Sequence, residues 1–168
     1  MELYLIRHGQ PDYSWINSND NIMTSSYAPL TEKGVQQAIE LRKKININDK
    51  IIISSPFTRA LETARYLANG KEIIIENNLH EWLPSKSYNY VINDFPVINN
   101  AYKNNNGEFC DDYDYETKQE LYDRMQKMID KYKDNKKVIF VCHARLIAAY
   151  LNCKEPKYCE IKHIKIPV

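Results

Sequence analysis

Residues 3–10 read LYLIRHGQ. Leu3, Tyr4, Leu5 and Ile6 form an apolar run suited to a buried strand, and Arg7, His8 and Gly9 follow without a spacer. A strand built for burial has no local reason to end on a cation, a titratable ring and a glycine. The design recurs at residues 138–145, VIFVCHAR, where an apolar run ends on His143 with Arg145 two places on. Clustered cations at a buried rim destabilise a fold unless an anion compensates them. The two strand ends are therefore expected to meet in space and form one anion-handling site.

Outward from these runs, strands alternate with helices. Residues 2–6, 50–54 (KIIIS), 72–76 (EIIIE), 136–142 and the IKHIKI stretch near the end read as strands. Thr31 reads as an N-cap, followed by a helix with Val35, Ala38, Ile39 and Ile45 near one face. Ser55-Pro56 reads as a second N-cap with proline at the first helical position, and Leu61, Ala64 and Leu67 give that helix its apolar stripe. A helix over about 116–132 carries Leu121, Met125, Met128, Ile129 and Tyr132 at helical spacing, which suits a core face. The pattern predicts an α/β three-layer sandwich, with a mostly parallel central sheet covered by helices on both faces. Residues 10–30 read as a long polar loop. Residues 82–115 have aromatics and acids without a period, and read as a lid or insertion over the site.

The chain has 168 residues and 43% hydrophobic residues, which fits one domain over 1–168 with a sizeable core. Its formal charge of +1 argues against nucleic acid or a membrane surface as partner. No stretch approaches the roughly 18 apolar residues of a membrane span. MELYLI carries no basic n-region and no cleavage site, so a cytoplasmic location is expected. Cys110, Cys142, Cys153 and Cys159 make no CxxC pair, so they read as reduced thiols and not as a zinc site or a disulfide framework.

In open parallel sheets, ligands bind beyond the carboxyl ends of the strands. His8 and His143 lie just past two such ends, Arg59 in SSPFTRA (54–60) just past another, and Glu81 a few residues past a third. A guanidinium matches phosphate oxygens two at a time, so Arg7 and Arg59 together suit a dianionic phosphate. A neutral imidazole in line with phosphorus is a competent nucleophile, a second can hydrogen-bond an equatorial oxygen, and a carboxyl can protonate the leaving alkoxide. Gly9 would let the backbone after His8 pass close to the ligand.

RHG after a first strand, SSPFTRALETA after a second and VCHA after a late strand, in that order, resemble the histidine phosphatase superfamily with its phosphoglycerate-mutase-like fold. PLTEKGVQQA (29–38) resembles that family's stretch ahead of its first helix, and NLHEW (78–82) the place where one branch carries its acid. The resemblance runs from residue 3 to about 151. It implies that His8 is the phosphorylated nucleophile, that Arg7, Arg59, His143 and the Ala144 backbone complete the phosphate pocket, and that Glu81 is the proton donor and later activates water. It implies no cofactor and no metal, since the arginines stabilise the charge, and a small phosphorylated metabolite as partner.

There are departures. Where the family usually has Gly after the second His, and often a further Gly, this chain has Ala144 and Arg145. Arg145 either faces the pocket and favours a doubly acidic substrate or is solvated; Gln10 is a second candidate for substrate contact. Glu62 and Glu76 are expected to be solvated, and His80 and His163 to lie at the surface or an edge. A cysteine-phosphatase loop fails, because Ala148 stands where an arginine would be needed after Cys142. The expected activity is metal-independent hydrolysis of a phosphomonoester through phosphohistidine. The alternatives are a catalytically silent phospho-ligand-binding module, a phosphoglycerate-type mutase, which in this family resembles longer chains, and a protein-phosphohistidine phosphatase, whose short relatives often lack the acid.

Overall fold

The computed structural model describes residues 1–167; Val168, the last residue of the expected span, lies outside the described residues. Five strands form one sheet: β1 (Glu2–Arg7), β2 (Ile51–Ser54), β3 (Ile73–Ile75), β4 (Lys137–Cys142) and β5 (Ile161–Lys165). The order across it is β3-β2-β4-β1-β5. β1, β2, β3 and β4 pair in parallel, and β5 runs antiparallel on the outer edge of β1.

The central strands have no polar face. Leu3 and Leu5 of β1 join Val138 and Phe140 of β4 in one core, which also takes Leu121, Met125, Met128 and Leu146. Ile6 of β1 joins Ile139 and Val141 of β4 in the other, with Leu41, Ala60, Ala64 and Leu67. The period-2 alternation thus sends successive side chains into two separate cores. Helices α1 (Glu32–Lys44) and α2 (Thr58–Ala68) cover one face; α4 (Lys118–Tyr132) and α5 (Ala144–Leu151) cover the other, with α3 (Phe95–Asn104) packing Ile98 beside them. The expected three-layer sandwich is present. Among the described residues, no helix is long and apolar enough to cross a membrane.

Local signals set most helix starts. Thr31 caps α1 by accepting from the Gly34 N–H, and Thr117 with Glu120 forms a reciprocal capping box on α4. The start of α2 differs from expectation. Phe57, not Ser55, stands at its N-cap position, and the Ser55 hydroxyl accepts from the Phe57 N–H at 3.2 Å. Ser55 is held by a contact to His143 that no local pattern announces. The loop over 10–30 contains a 3-10 turn at Ile22–Tyr27 capped by Asn21. It is tied to the 82–115 segment by the Ile22 N–H on Tyr90 O (3.0 Å) and the Ile92 N–H on Asp20 O (2.9 Å).

Gly9 also meets a packing constraint that its sequence neighbours do not announce. A Cβ there would lie 2.6 Å from Gly34 O, and a Cβ on Gly34 would lie 2.3 Å from Gln10 O. The backbone leaving β1 is pressed against the first turn of α1, so both positions lack side chains for packing. Gly34→Ala is expected to cost about 1–3 kcal/mol through overpacking, and hence several degrees of melting temperature. Gln36→Ala, an exposed site two residues on, serves as control; equal melting of the two variants would refute the close-approach reading.

Candidate functional site

β1 and β4 are neighbours whose following helices leave to opposite faces, and a crevice opens at the carboxyl ends of such a pair. Arg7 stands opposite Cys142 in the parallel register, and the His8 N–H donates to Cys142 O at 3.1 Å. The next residue on each strand is therefore a histidine, and the two ring centroids lie 5.1 Å apart. A cleft of about 200 Å³ opens here, lined among others by Arg7, His8, Arg59, Glu81, Ala144 and Arg145.

The ring of His8 is 3% exposed. Its Nδ1 lies 2.7 Å from Gly9 O, a carbonyl that only accepts, so Nδ1 carries the proton and Nε2 keeps a lone pair. Arg59 donates from Nε to that Nε2 at 3.1 Å and from Nη1 to Ser25 O at 2.9 Å. Thr63 joins both segments: it accepts from the Gly9 N–H and donates to Arg59 O. His143 is fully buried, with Nε2 2.8 Å from the Ser55 hydroxyl. That hydroxyl also accepts from the Phe57 N–H, and in the tautomer where it donates to His143 Nε2 the proton of His143 sits on Nδ1. Arg7 donates from Nη1 to Pro156 O at 2.7 Å and lies 4.0 Å from the Tyr158 ring centroid.

Among the described residues, four buried side-chain polar atoms have no hydrogen-bond partner, and three belong to candidate site residues: Arg7 Nε, His143 Nδ1 and Arg145 Nη1. Unmet buried donors are costly, and two of these atoms are guanidinium donors of residues that line the cleft, Arg7 and Arg145, which suits it to an anion. Burial, then Arg59 and Arg7, hold the His8 imidazole well below its ordinary value near 6.5. Burial, Arg59 and His8 do the same to His143. Both rings are neutral, as a nitrogen nucleophile requires.

Glu81 lines the cleft, and its Oε1 accepts from the Trp82 N–H at 2.8 Å. Its segment is braced from behind. Arg124 forks onto Glu116 at 2.5 and 2.9 Å and donates from Nη1 to Asn78 O and His80 O, each at 2.8 Å. Glu116 returns bonds to the Leu83 N–H and the Trp82 indole N–H. The backbone on both sides of Glu81 is thus tied to one buried ion pair.

Of the candidates from sequence, Arg7, His8, Arg59, Glu81, Ala144 and Arg145 share the cleft lining, and His143, outside it, packs its ring against that of His8. Gln10 does not join them: its Oε1 accepts from the Thr31 hydroxyl at 2.9 Å, near the cap of α1. Glu62 and Glu76 are not simply solvated. Glu62 accepts from the Leu30 N–H at 2.6 Å, and Glu76 accepts from the Tyr132 hydroxyl at 2.6 Å and from Lys131. His80, expected at the surface, is half-buried, bonded through Nδ1 to Glu81 O and stacked 6.1 Å from Phe57. Ser25 and Tyr158 reach the site from distant segments that no local pattern announces, whereas Ser55 and Phe57 share the SSPFTRA segment with Arg59 without having been singled out as site residues. Among the described residues, no group of three or more His, Cys, Asp and Glu side chains is arranged to hold a metal ion.

Comparison with known proteins agrees with this geometry. The family model of the histidine phosphatase superfamily (branch 1) matches residues 3–157, and the chain belongs to that superfamily. A curated relative named probable phosphoglycerate mutase GpmB, from Enterobacter sp. (strain 638), is 34% identical over 84 residues, covering 48% of this chain and 38% of the relative. The chain therefore spans well under two thirds of the curated relatives it matches. A phosphoserine phosphatase from Entamoeba histolytica, crystallised with phosphoserine, superposes with a TM-score of 0.72 at 25% identity, over 96% of this chain and 89% of that one. TTHB049 from Thermus thermophilus shares the fold at a TM-score of 0.74 and 19% identity, over 99% and 95% of the two chains.

The buried neutral imidazoles also set a pH dependence. Below about pH 6.5 the unfolded chain binds protons at these histidines, whereas the native chain does not until far lower pH. Their contribution to stability is full above that value and is lost as pH falls towards the native pKa. His8→Ala removes one such group. Wild type is expected to lose more melting temperature than His8→Ala on going from about pH 7.5 to about pH 5.5; equal losses would show that His8 is not held neutral.

Proposed function

We propose that this chain is a metal-independent phosphatase that hydrolyses a small phosphomonoester through a phosphohistidine at His8, with residues 82–115 as the lid of its site. The observation that carries the reading is the His8 Nε2 lone pair, fixed by the Nδ1 bond to Gly9 O and facing the Arg59 guanidinium among unmet donors. Similarity to a phosphoserine phosphatase supports hydrolysis.

In the first step the Nε2 lone pair of His8 forms a bond to phosphorus as the P–O bond to the leaving alcohol breaks. The Arg59 N–H that now rests on Nε2 passes to a phosphoryl oxygen. Arg7, His143 Nδ1–H and the Ala144 N–H at the start of α5 take the other oxygens and the developing charge. Glu81, in its protonated form, gives its proton to the leaving oxygen. In the second step the Glu81 carboxylate takes a proton from water, whose oxygen attacks phosphorus; the N–P bond breaks and inorganic phosphate leaves. A mutase reading is favoured by the curated relatives' names. It would differ in returning the phosphoryl group to another hydroxyl without release of phosphate.

Hydrolysis of p-nitrophenyl phosphate in EDTA is expected for wild type and not for His8→Ala. Activity retained in His8→Ala would contradict the phosphohistidine route. Glu81→Gln separates the two ester classes, because nitrophenolate leaves with little proton assistance and an alkoxide does not. Its kcat/KM is expected to fall by about 10²- to 10⁴-fold on an alkyl phosphate and far less on the nitrophenyl ester. Equal losses on both would remove Glu81 from the role of acid.

A further inference from the structure

Arg145 occupies an unusual setting in the cleft lining. Its Cζ lies 4.2 Å from the Trp82 ring centroid and 4.8 Å from that of Tyr102, so two aromatic rings hold the guanidinium plane. Nη2 donates to Asn99 Oδ1 of α3 at 2.7 Å, a neutral acceptor. Nη1 is buried, with no partner among the described residues. Among those residues, the carboxylate paired with this group is Glu155, and that pairing is loose: Nε to Oε1 is 3.5 Å, with side chains 13% and 48% exposed.

A structural ion pair in the same molecule looks different. Arg124 and Glu116 meet in a two-bond fork, and their side chains are 10% and 6% exposed. Against that standard, Arg145 is an almost buried, pre-oriented fork whose negative partner stands off at the rim. Such a fork matches a planar carboxylate two oxygens at a time. Glu155 belongs to the loop that also supplies Pro156 O and Tyr158 to Arg7, so one loop borders both guanidiniums. Met23, Pro84 and Phe95 complete an apolar stretch of the lining, suited to a short carbon linker between two charged groups.

We propose that Arg145 takes the carboxylate of a small phosphorylated carboxylic acid, and that Glu155 is the resident carboxylate which the substrate displaces. The proposal rests on the phosphate end of the substrate lying at Arg7, His8 and Arg59. Glu155 then has a defined effect: it keeps Arg145 compensated while the site is free, and it competes with the substrate carboxylate. Removing the arginine and removing the glutamate should therefore act in opposite directions. A purely structural pair would respond to both losses in the same direction.

The test reads binding and does not depend on turnover. In the His8→Ala protein, titration calorimetry compares 3-phosphoglycerate with glycerol 3-phosphate, in which a hydroxymethyl group replaces the carboxylate. 3-Phosphoglycerate is expected to bind about 10- to 100-fold more tightly, the range for charge-assisted hydrogen bonds to one group. Adding Arg145→Met should bring the ratio close to one through weaker binding of 3-phosphoglycerate. Glu155→Gln, at a half-exposed side chain whose replacement leaves the core untouched, should widen it. A ratio unchanged by Arg145→Met, a ratio narrowed by Glu155→Gln, or no binding of either ester would each overturn the proposal. Failure of the phosphatase reading itself would appear separately, as absent p-nitrophenyl phosphate hydrolysis by wild type.

Discussion

The parallel pairing of β1 with β4, in the register that sets Arg7 opposite Cys142, is the constraint from which the rest of the site follows. It makes His8 and His143 neighbours although 134 residues separate them in the chain (143 − 8 − 1 = 134). Because α1 and α5 depart to opposite faces, the crevice between the two strand ends stays open. β2 on the far side of β4 brings Ser55, Phe57 and Arg59 to the same rim, and the Ser55 N–H is itself bonded to Val141 O at 3.0 Å. β5 on the far side of β1 turns the preceding loop so that Pro156 and Tyr158 meet Arg7. A one-residue slip of β1 against β4 would separate the imidazoles and exchange the contents of the two cores.

Guanidiniums and imidazoles gathered at a buried rim are expensive, and the structure shows how the cost is distributed. The imidazoles remain neutral, which removes two charges at the expense of stability in acid. Arg7 and Arg59 use carbonyls and aromatic faces. The donors that remain unmet all point to compensation by an anion. The buried Arg124–Glu116 pair has a separate task, since its bonds run to the backbone around Glu81 and fix where that carboxylate stands. Charge in this molecule is therefore divided between a site that remains open to a ligand and a brace that is already complete.

The features legible from sequence were those written locally. Apolar runs marked the strands, Thr31 marked the start of α1, and the 3.6 period of Leu121, Met125, Met128 and Ile129 marked the buried face of α4. The histidines and arginines at strand ends could be grouped because a parallel sheet delivers its strand ends to one rim. α3 was hidden: its stripe of Phe95, Ile98, Ala101 and Tyr102 is short, only Ile98 on it is fully buried, and polar and apolar residues around it leave no clear period in sequence. Gln10, Glu62, Glu76 and His80 were misplaced for a common reason. Each is held by a partner distant in sequence or by backbone geometry, and composition carries no trace of such a partner. Arg145 stood in sequence as an alternative between solvent and pocket, and Trp82, Asn99, Tyr102 and Glu155, drawn from three separate segments, place it in the cleft lining.

The proposed mechanism requires phosphorus to become bonded to His8 during turnover. The most direct measurement is rapid denaturing quench of the wild-type protein during hydrolysis of a phosphomonoester, followed by peptide mass spectrometry under alkaline conditions that preserve phosphohistidine. One phosphoryl group per chain, lost in acid and stable in base, is expected on the peptide carrying His8. Steady turnover with no phosphorylated protein at any quench time, or a phosphoryl group on another residue, would contradict it.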